Sequence, residues 1–164
     1  MPKMIVVGAP HTTNWDFILF LGALRAYHFK ARYIGKHTLF RPPIGWFFAA
    51  LGGIPVDRTR AGGMVRQVAE AFAGADEMIL VMAPEGTRKA ARWWKSGFLN
   101  IATEAGVPVV LAAVDFAAKS VTLGPVIEFD GDHKAFMDQA RQFYQGREGL
   151  KPEGVGPVRV REEQ

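Results

Sequence analysis

The chain has 164 residues, 49% of them hydrophobic and 22% charged, which fits one compact globular domain and excludes a disordered or fibrous chain. A formal net charge of +4 and an isoelectric point near 9.6 suit anionic partners. The absence of cysteine rules out disulfides and thiol catalysis, and the scattered His11, His28, His37 and His133 give no metal-ligand signature, so no metal is expected.

Apolar runs and turn signals predict alternating elements. A strand near 4–8 is followed by a helix over 14–28, a strand over 31–35, a short helix over 43–51 and a strand near 54–56. A helix over 62–74, a strand over 78–83, a loop to about 95, a helix over 97–105, strands over 108–114 and 120–128 and a helix over 132–145 complete the series. Such alternation predicts an α/β fold, a mostly parallel central sheet covered by helices on both faces, with hairpin character near Ala117-Ala118-Lys119-Ser120. Residues 1–146 form the expected catalytic domain. The segment 147–164, rich in Gly, Pro and charge, reads as a loosely packed tail in which Val158-Arg159-Val160 could make a small edge strand. No uncharged apolar run reaches about 18 residues, and Met1-Pro2-Lys3-Met4 opens no secretory signal, so the expectation is an intracellular chain.

Where the first strand ends, Pro10-His11-Thr12-Thr13-Asn14-Trp15-Asp16 pairs a neutral-pH base with a carboxylate. A carboxylate on imidazole Nδ1 fixes the tautomer and leaves Nε2 free to take a proton from a hydroxyl. On one continuous helix a spacing of five would set the two residues about 140° apart, so they meet only if His11 lies in the turn before the helix. Thr13 or Asn14 can cap that helix, placing Asp16 in its first turn. The plainer reading is a capping Asp beside a loop histidine.

The apolar run Met78-Ile79-Leu80-Val81-Met82-Ala83 leads directly into Pro84-Glu85-Gly86-Thr87-Arg88, a turn presenting polar groups at a strand end, where open α/β sheets bind ligands. A salt bridge within the turn would equally account for Glu85 and Arg88. A third segment, Gly52-Gly53-Ile54-Pro55-Val56-Asp57-Arg58, with Arg60 close behind, supplies arginine suited to phosphate.

Together these segments resemble the lysophospholipid acyltransferase family, which includes 1-acylglycerol-3-phosphate and glycerol-3-phosphate acyltransferases. The family's H-x-x-x-x-D block looks like His11 to Asp16, its G-x-I-x-x-D-R block like Gly53 to Arg58, its P-E-G-T-R block like Pro84 to Arg88, and its V-P-V block like Val107 to Val109. Trp94-Lys95-Ser96-Gly97-Phe98 is similar to the Lys-x-Gly segment after the third block. The chain departs from the pattern at Pro10 and Ala83, where polar and aromatic residues are frequent.

The resemblance implies a glycerolipid-acyltransferase-like fold and transfer of an acyl chain from acyl-CoA or acyl carrier protein, as co-substrate, to a lysophospholipid or glycerophosphate hydroxyl. It implies His11 as base, Asp16 as its orienter, Arg58 and Arg88 as acceptor-phosphate ligands, and Glu85, Gly86 and Thr87 shaping the same pocket, with no cofactor. Many bacterial relatives carry membrane-associated helices before the first block, so either this is a minimal catalytic domain or a segment lies upstream.

Lys36 and His37, after the second strand, would share a sheet edge with His11 and approach the phosphate if the strands are parallel. Two aromatic-rich segments, Thr38 to Phe48 and Arg92-Trp93-Trp94-Lys95, mix aromatics with cations as suits an anionic membrane surface, which predicts peripheral attachment at the cytoplasmic face. Within them the balance favours core positions for Phe47 and Phe48 and exposure of one of Trp93 and Trp94. No nucleic-acid motif accompanies them, so no nucleic-acid partner is expected. Two rivals remain: a thioesterase or esterase in which the same His-Asp pair activates water or a serine such as Ser96, and a non-catalytic lipid-binding module. Neither Ser96 nor Ser120 lies in a G-x-S-x-G elbow.

Overall fold

The computed structural model describes residues 3–13, 15, 18–19, 22, 26, 29, 31–57, 63–115, 120–147 and 151–164. Strands β1 (Lys3–Ala9), β2 (Ala31–Lys36), β3 (Gly53–Val56), β4 (Met78–Met82), β5 (Val109–Asp115) and β6 (Ser120–Ile127) form one sheet in the order β3-β2-β4-β1-β5-β6. All neighbours are parallel except β5 and β6, which pair antiparallel from Val109↔Ile127 to Asp115↔Ser120. The expected mostly parallel sheet is what forms. The hairpin connection at Ala117 to Lys119 lies outside the described residues.

The continuous apolar runs of β1, β4 and β5 become central strands because parallel strands flanked on both sides bury both of their faces. Ile5, Val7, Leu80 and Leu111 are wholly buried on one face, against Phe72 of α2 (Gly63–Ala73), Phe98 and Leu99 of α3 (Gly97–Ala105), and Phe136 and Met137 of α4 (His133–Tyr144). Val6, Val81, Val110 and Ala112 make a smaller cluster on the other face. The expected helix over 14–28 falls largely outside the described residues. The short helix α1 (Gly45–Ala50) lies between β2 and β3. Asp132 caps α4 by accepting from the Ala135 N–H at 2.9 Å, and Gly106 ends α3 in the left-handed conformation at φ 61°.

At the end of α4, the Tyr144 hydroxyl stands 2.8 Å from the Val7 carbonyl and 3.0 Å from that of Ala112, joining the helix to β1 and β5. Burial pushes its phenol far above the ordinary value, so it stays a proton donor.

Residues 151–164 of the tail are not loose, contrary to their composition. Val160 is wholly buried and bridges in parallel with Trp94, whose N–H donates to the Arg159 carbonyl at 2.7 Å. The Arg141 guanidinium donates to the Val158 carbonyl at 3.1 Å and to Glu163 at 2.9 Å. Gly154 and Gly156 are there for contact: a Cβ on Gly156 would run into the Ala91 carbonyl oxygen. Trp94 is therefore core, stacked edge-on to Tyr144 at 5.5 Å, and Trp93 lies against the guanidinium of Arg159 at 4.3 Å. By contrast Phe47, expected inside, is 48% exposed, because Gly45 and half-buried Phe48, three positions apart, take the inward side of α1 and leave Trp46 and Phe47 on the other.

Gly156→Val should lift the tail from residue 91. Its Tm should fall by several degrees, at about 2–4 °C per kcal/mol for a chain of this size, and limited proteolysis should cut the variant in residues 151–164, where the wild type resists.

Candidate active site

Because β1 to β4 run parallel, the segments leaving their C-terminal ends gather at one edge of the sheet. After β1 the chain passes to β2 on one side, and after β4 it crosses to β5 on the other, so the ends of β1 and β4 flank a topological switch point, the usual ligand crevice of such sheets. The register Val7↔Met82 sets the two ends level. A cleft of about 610 Å³ opens there, lined by His11, Thr87, Arg88 and Lys95 with apolar Met64 and Phe98.

The two loops are tied together by a buried acid. Glu85, only 5% exposed, accepts the backbone N–H of His11 through Oε1 at 3.0 Å. A carboxylate taken out of water needs such donors. The acid expected to shape the substrate pocket thus fixes the backbone that carries the base.

Gly86 follows with φ 63°, its N–H donating to the Ala83 carbonyl at 3.3 Å. A Cβ there would lie 2.8 Å from Lys95 Cε and 2.9 Å from Nζ, so the lysine passes directly over the glycine while its own N–H donates to the Pro84 carbonyl at 2.8 Å. Lys95 is a cleft residue that sequence reasoning assigned to a lipid surface. Its place in the Lys-x-Gly segment was the available signal. Thr87 accepts the Lys89 N–H at 3.3 Å and, with exposed Arg88, completes the cationic side of the cleft.

Of the remaining expected site residues, Asp16 and Arg58 lie outside the described residues. Lys36 sits at the C-terminal end of β2, on the same sheet edge as His11, but it is exposed and does not line the cleft; Tyr33 and Ile34 are what β2 contributes. A strand reaches a crevice with the side chains nearest its packed neighbours, and Lys36 is already past the last β2–β4 pair, Tyr33↔Val81. His37 Nδ1 stands 3.9 Å from Asp57 Oδ1, beyond hydrogen-bond range. Gln67 of α2 holds the Asp57 backbone through both its N–H, at 3.2 Å, and its carbonyl, at 2.9 Å. Ser96, the candidate nucleophile of a hydrolase, donates instead to Glu162 at 2.6 Å and holds that carboxyl below its ordinary range. Among the described residues no group of three or more His, Asp or Glu is placed to hold a metal ion.

Residues 2–115 match the family model described as Acyltransferase, well over half of the sequence. The chain belongs to the acyltransferase family. The matched stretch contains the crevice loops after β1 and β4 and also Lys95. This acyltransferase-family chain is also similar in structure to PlsC, the 1-acyl-sn-glycerophosphate acyltransferase of Thermotoga maritima, with a TM-score of 0.56 at 19% identity, covering 86% of this chain and 61% of that one. It thus spans about three fifths of the length of that protein. No curated protein matches it significantly.

Glu85→Ala should strand the His11 N–H in the interior and destabilise the fold by about 1–3 kcal/mol. Glu85→Gln, which keeps an acceptor oxygen, should recover most of that loss. Urea unfolding of the two variants beside the wild type measures both.

Proposed function

We propose that this chain moves a fatty acyl group from an acyl thioester, acyl-CoA or acyl carrier protein, to a hydroxyl of a lysophospholipid or glycerophosphate, with His11 as general base. The observation that carries the reading is the convergence of His11 with Arg88 and Lys95 in one part-apolar cleft at the switch point. It offers a base for a hydroxyl, cations for a phosphate, and apolar surface for a chain.

In this mechanism the acceptor hydroxyl gives its proton to His11 Nε2 as its oxygen bonds to the thioester carbonyl carbon. The tetrahedral oxyanion then collapses, the C–S bond breaks, and the departing sulfur takes the proton back from the imidazolium, leaving ester and free thiol. Asp16 orients the imidazole, as the family's H-x-x-x-x-D block implies. Arg88, with Arg58 from the G-x-I-x-x-D-R block, holds the acceptor phosphate bidentately, and Lys95 adds a point charge beside it. The name of the structural relative, a 1-acyl-sn-glycerophosphate acyltransferase, supports this acceptor class. No cofactor or metal is needed, because the thioester is already an activated acyl group.

The test is thiol release from palmitoyl-CoA with and without lysophosphatidic acid. Wild type should release thiol only with the acceptor. His11→Ala should lose at least about 10²–10⁴-fold in kcat while its Tm changes little. Acceptor-independent release would make the chain a thioesterase, and full activity in the variant would remove His11 as the base.

The same reading places the chain against an anionic membrane surface. Ile44, Trp46 and Phe47 are exposed, Trp46 at 73%, beside exposed Arg41 and Lys36, and amphipathic aromatics with cations suit the headgroup level. Trp46→Ser with Phe47→Ser should cut co-sedimentation with phosphatidylglycerol vesicles severalfold and leave the Tm unchanged. Equal sedimentation of variant and wild type would move the contact elsewhere.

A further inference from the structure

A second cavity, of about 480 Å³, shares Arg88 with the cleft and is lined by Thr12, Thr13, Lys89, Lys151 and Glu153. Thr12 and Thr13 directly follow His11, so the two cavities share both the segment that carries the base and Arg88. The wall between tail and loops is closely built. Buried Thr12 accepts the Lys151 N–H on its hydroxyl at 3.2 Å, and a Cβ on Gly154 would lie 3.1 Å from the Arg88 carbonyl oxygen and 3.2 Å from Thr12 Cγ2. Residues 151–154 are therefore held at contact distance from both active-site loops, and this brings Lys151 to the cavity beside Lys89 and Arg88.

Besides the shared Arg88, two lysines and a single carboxylate, Glu153, line this cavity. Lys89 and Lys151 are exposed, and neither makes an ion pair among the described residues. Two lysines beside one carboxylate leave net positive charge at the cavity, and an anion with several oxygens meets it through charge-assisted hydrogen bonds. Acyl transfer brings two phosphate-bearing substrates to His11 at once. The acceptor's phosphate has its cations in the cleft, at Arg88 and Lys95. The donor's lies at the far end of a pantetheine arm whose sulfur must reach the base, and so needs a separate cationic site connected to the cleft.

Resting on the acyl-transfer reading, we propose that the cavity between Thr12–Thr13, Lys89 and Lys151 binds the phosphate end of the thioester donor, the phosphopantetheine phosphate that coenzyme A and a carrier protein have in common. The C-terminal tail is then part of the donor site as well as of the fold.

The test is calorimetric titration of coenzyme A, 4′-phosphopantetheine and glycerol 3-phosphate into wild type, Lys89→Gln/Lys151→Gln and Lys89→Arg/Lys151→Arg. Both glutamines replace exposed side chains, and an unchanged Tm establishes that the variant is folded. The glutamine variant should bind coenzyme A and 4′-phosphopantetheine about tenfold more weakly, as loss of two exposed charge contacts allows. The arginine variant should restore binding, and glycerol 3-phosphate should bind all three proteins alike. A loss for coenzyme A with none for 4′-phosphopantetheine would overturn the shared-phosphate assignment in favour of the nucleotide phosphates. Weakened glycerol 3-phosphate binding would give the cavity to the acceptor, and unaltered binding of all three ligands would remove it as a phosphate site. Because these are binding constants, a failure here is distinct from failure of acyl transfer, which the thiol-release assay reads.

Discussion

One hydrogen bond, from the His11 backbone to the buried Glu85 carboxylate, joins two loops whose residues are 74 positions apart in sequence, and the geometry of the site depends on it. It is possible only because β1 and β4 are adjacent and parallel, with ends level in register. A carboxylate buried to this degree without donors would carry a desolvation cost of several kcal/mol. The sheet therefore positions the acid, the acid positions the histidine backbone, and the side chain of His11 is left facing the cleft that Arg88 and Lys95 also line.

The second constraint comes from the opposite end of the chain. Between Met82 and Gly97 the backbone has no helix or extended strand, and a stretch of that length would ordinarily be mobile. Here the tail braces it: Val160 enters the core, Arg159 receives the Trp94 N–H, and Gly154 and Gly156 lie flat against residues 88 and 91. Trp94 in turn packs on Tyr144, which reaches the carbonyls of β1 and β5. The P-E-G-T-R turn is thus held between the sheet on one side and the C-terminus on the other, and substrates meet a preformed surface.

Most of the fold was legible in the sequence, because long apolar runs such as Met78 to Met82 have few ways to be buried. The strand order was not, and the switch point that makes the crevice exists only once β4 is inserted between β2 and β1. The tail was misread because glycine and proline mark both mobility and close approach, and only a partner surface, here Ala91, distinguishes the two. Glu85 was recognised as a site residue but not as a backbone acceptor, since nothing local in the P-E-G-T-R run points to His11. That Lys95 lines the cleft was not read, because the aromatic run beside it drew attention to an interface although Trp94 is core. Lys36 shared the right edge, as parallel strands required, yet stops short of the cleft lining.

The central claim is that the acyl chain ends on an acceptor oxygen activated by His11. Its most direct test is turnover of palmitoyl-CoA and lysophosphatidic acid in ¹⁸O-labelled water, followed by mass analysis of the lipid products. Direct transfer requires phosphatidic acid as the main product, with no label in the new ester. Labelled palmitate as the main product would show that water, not the lipid hydroxyl, attacks the thioester, and would contradict the account.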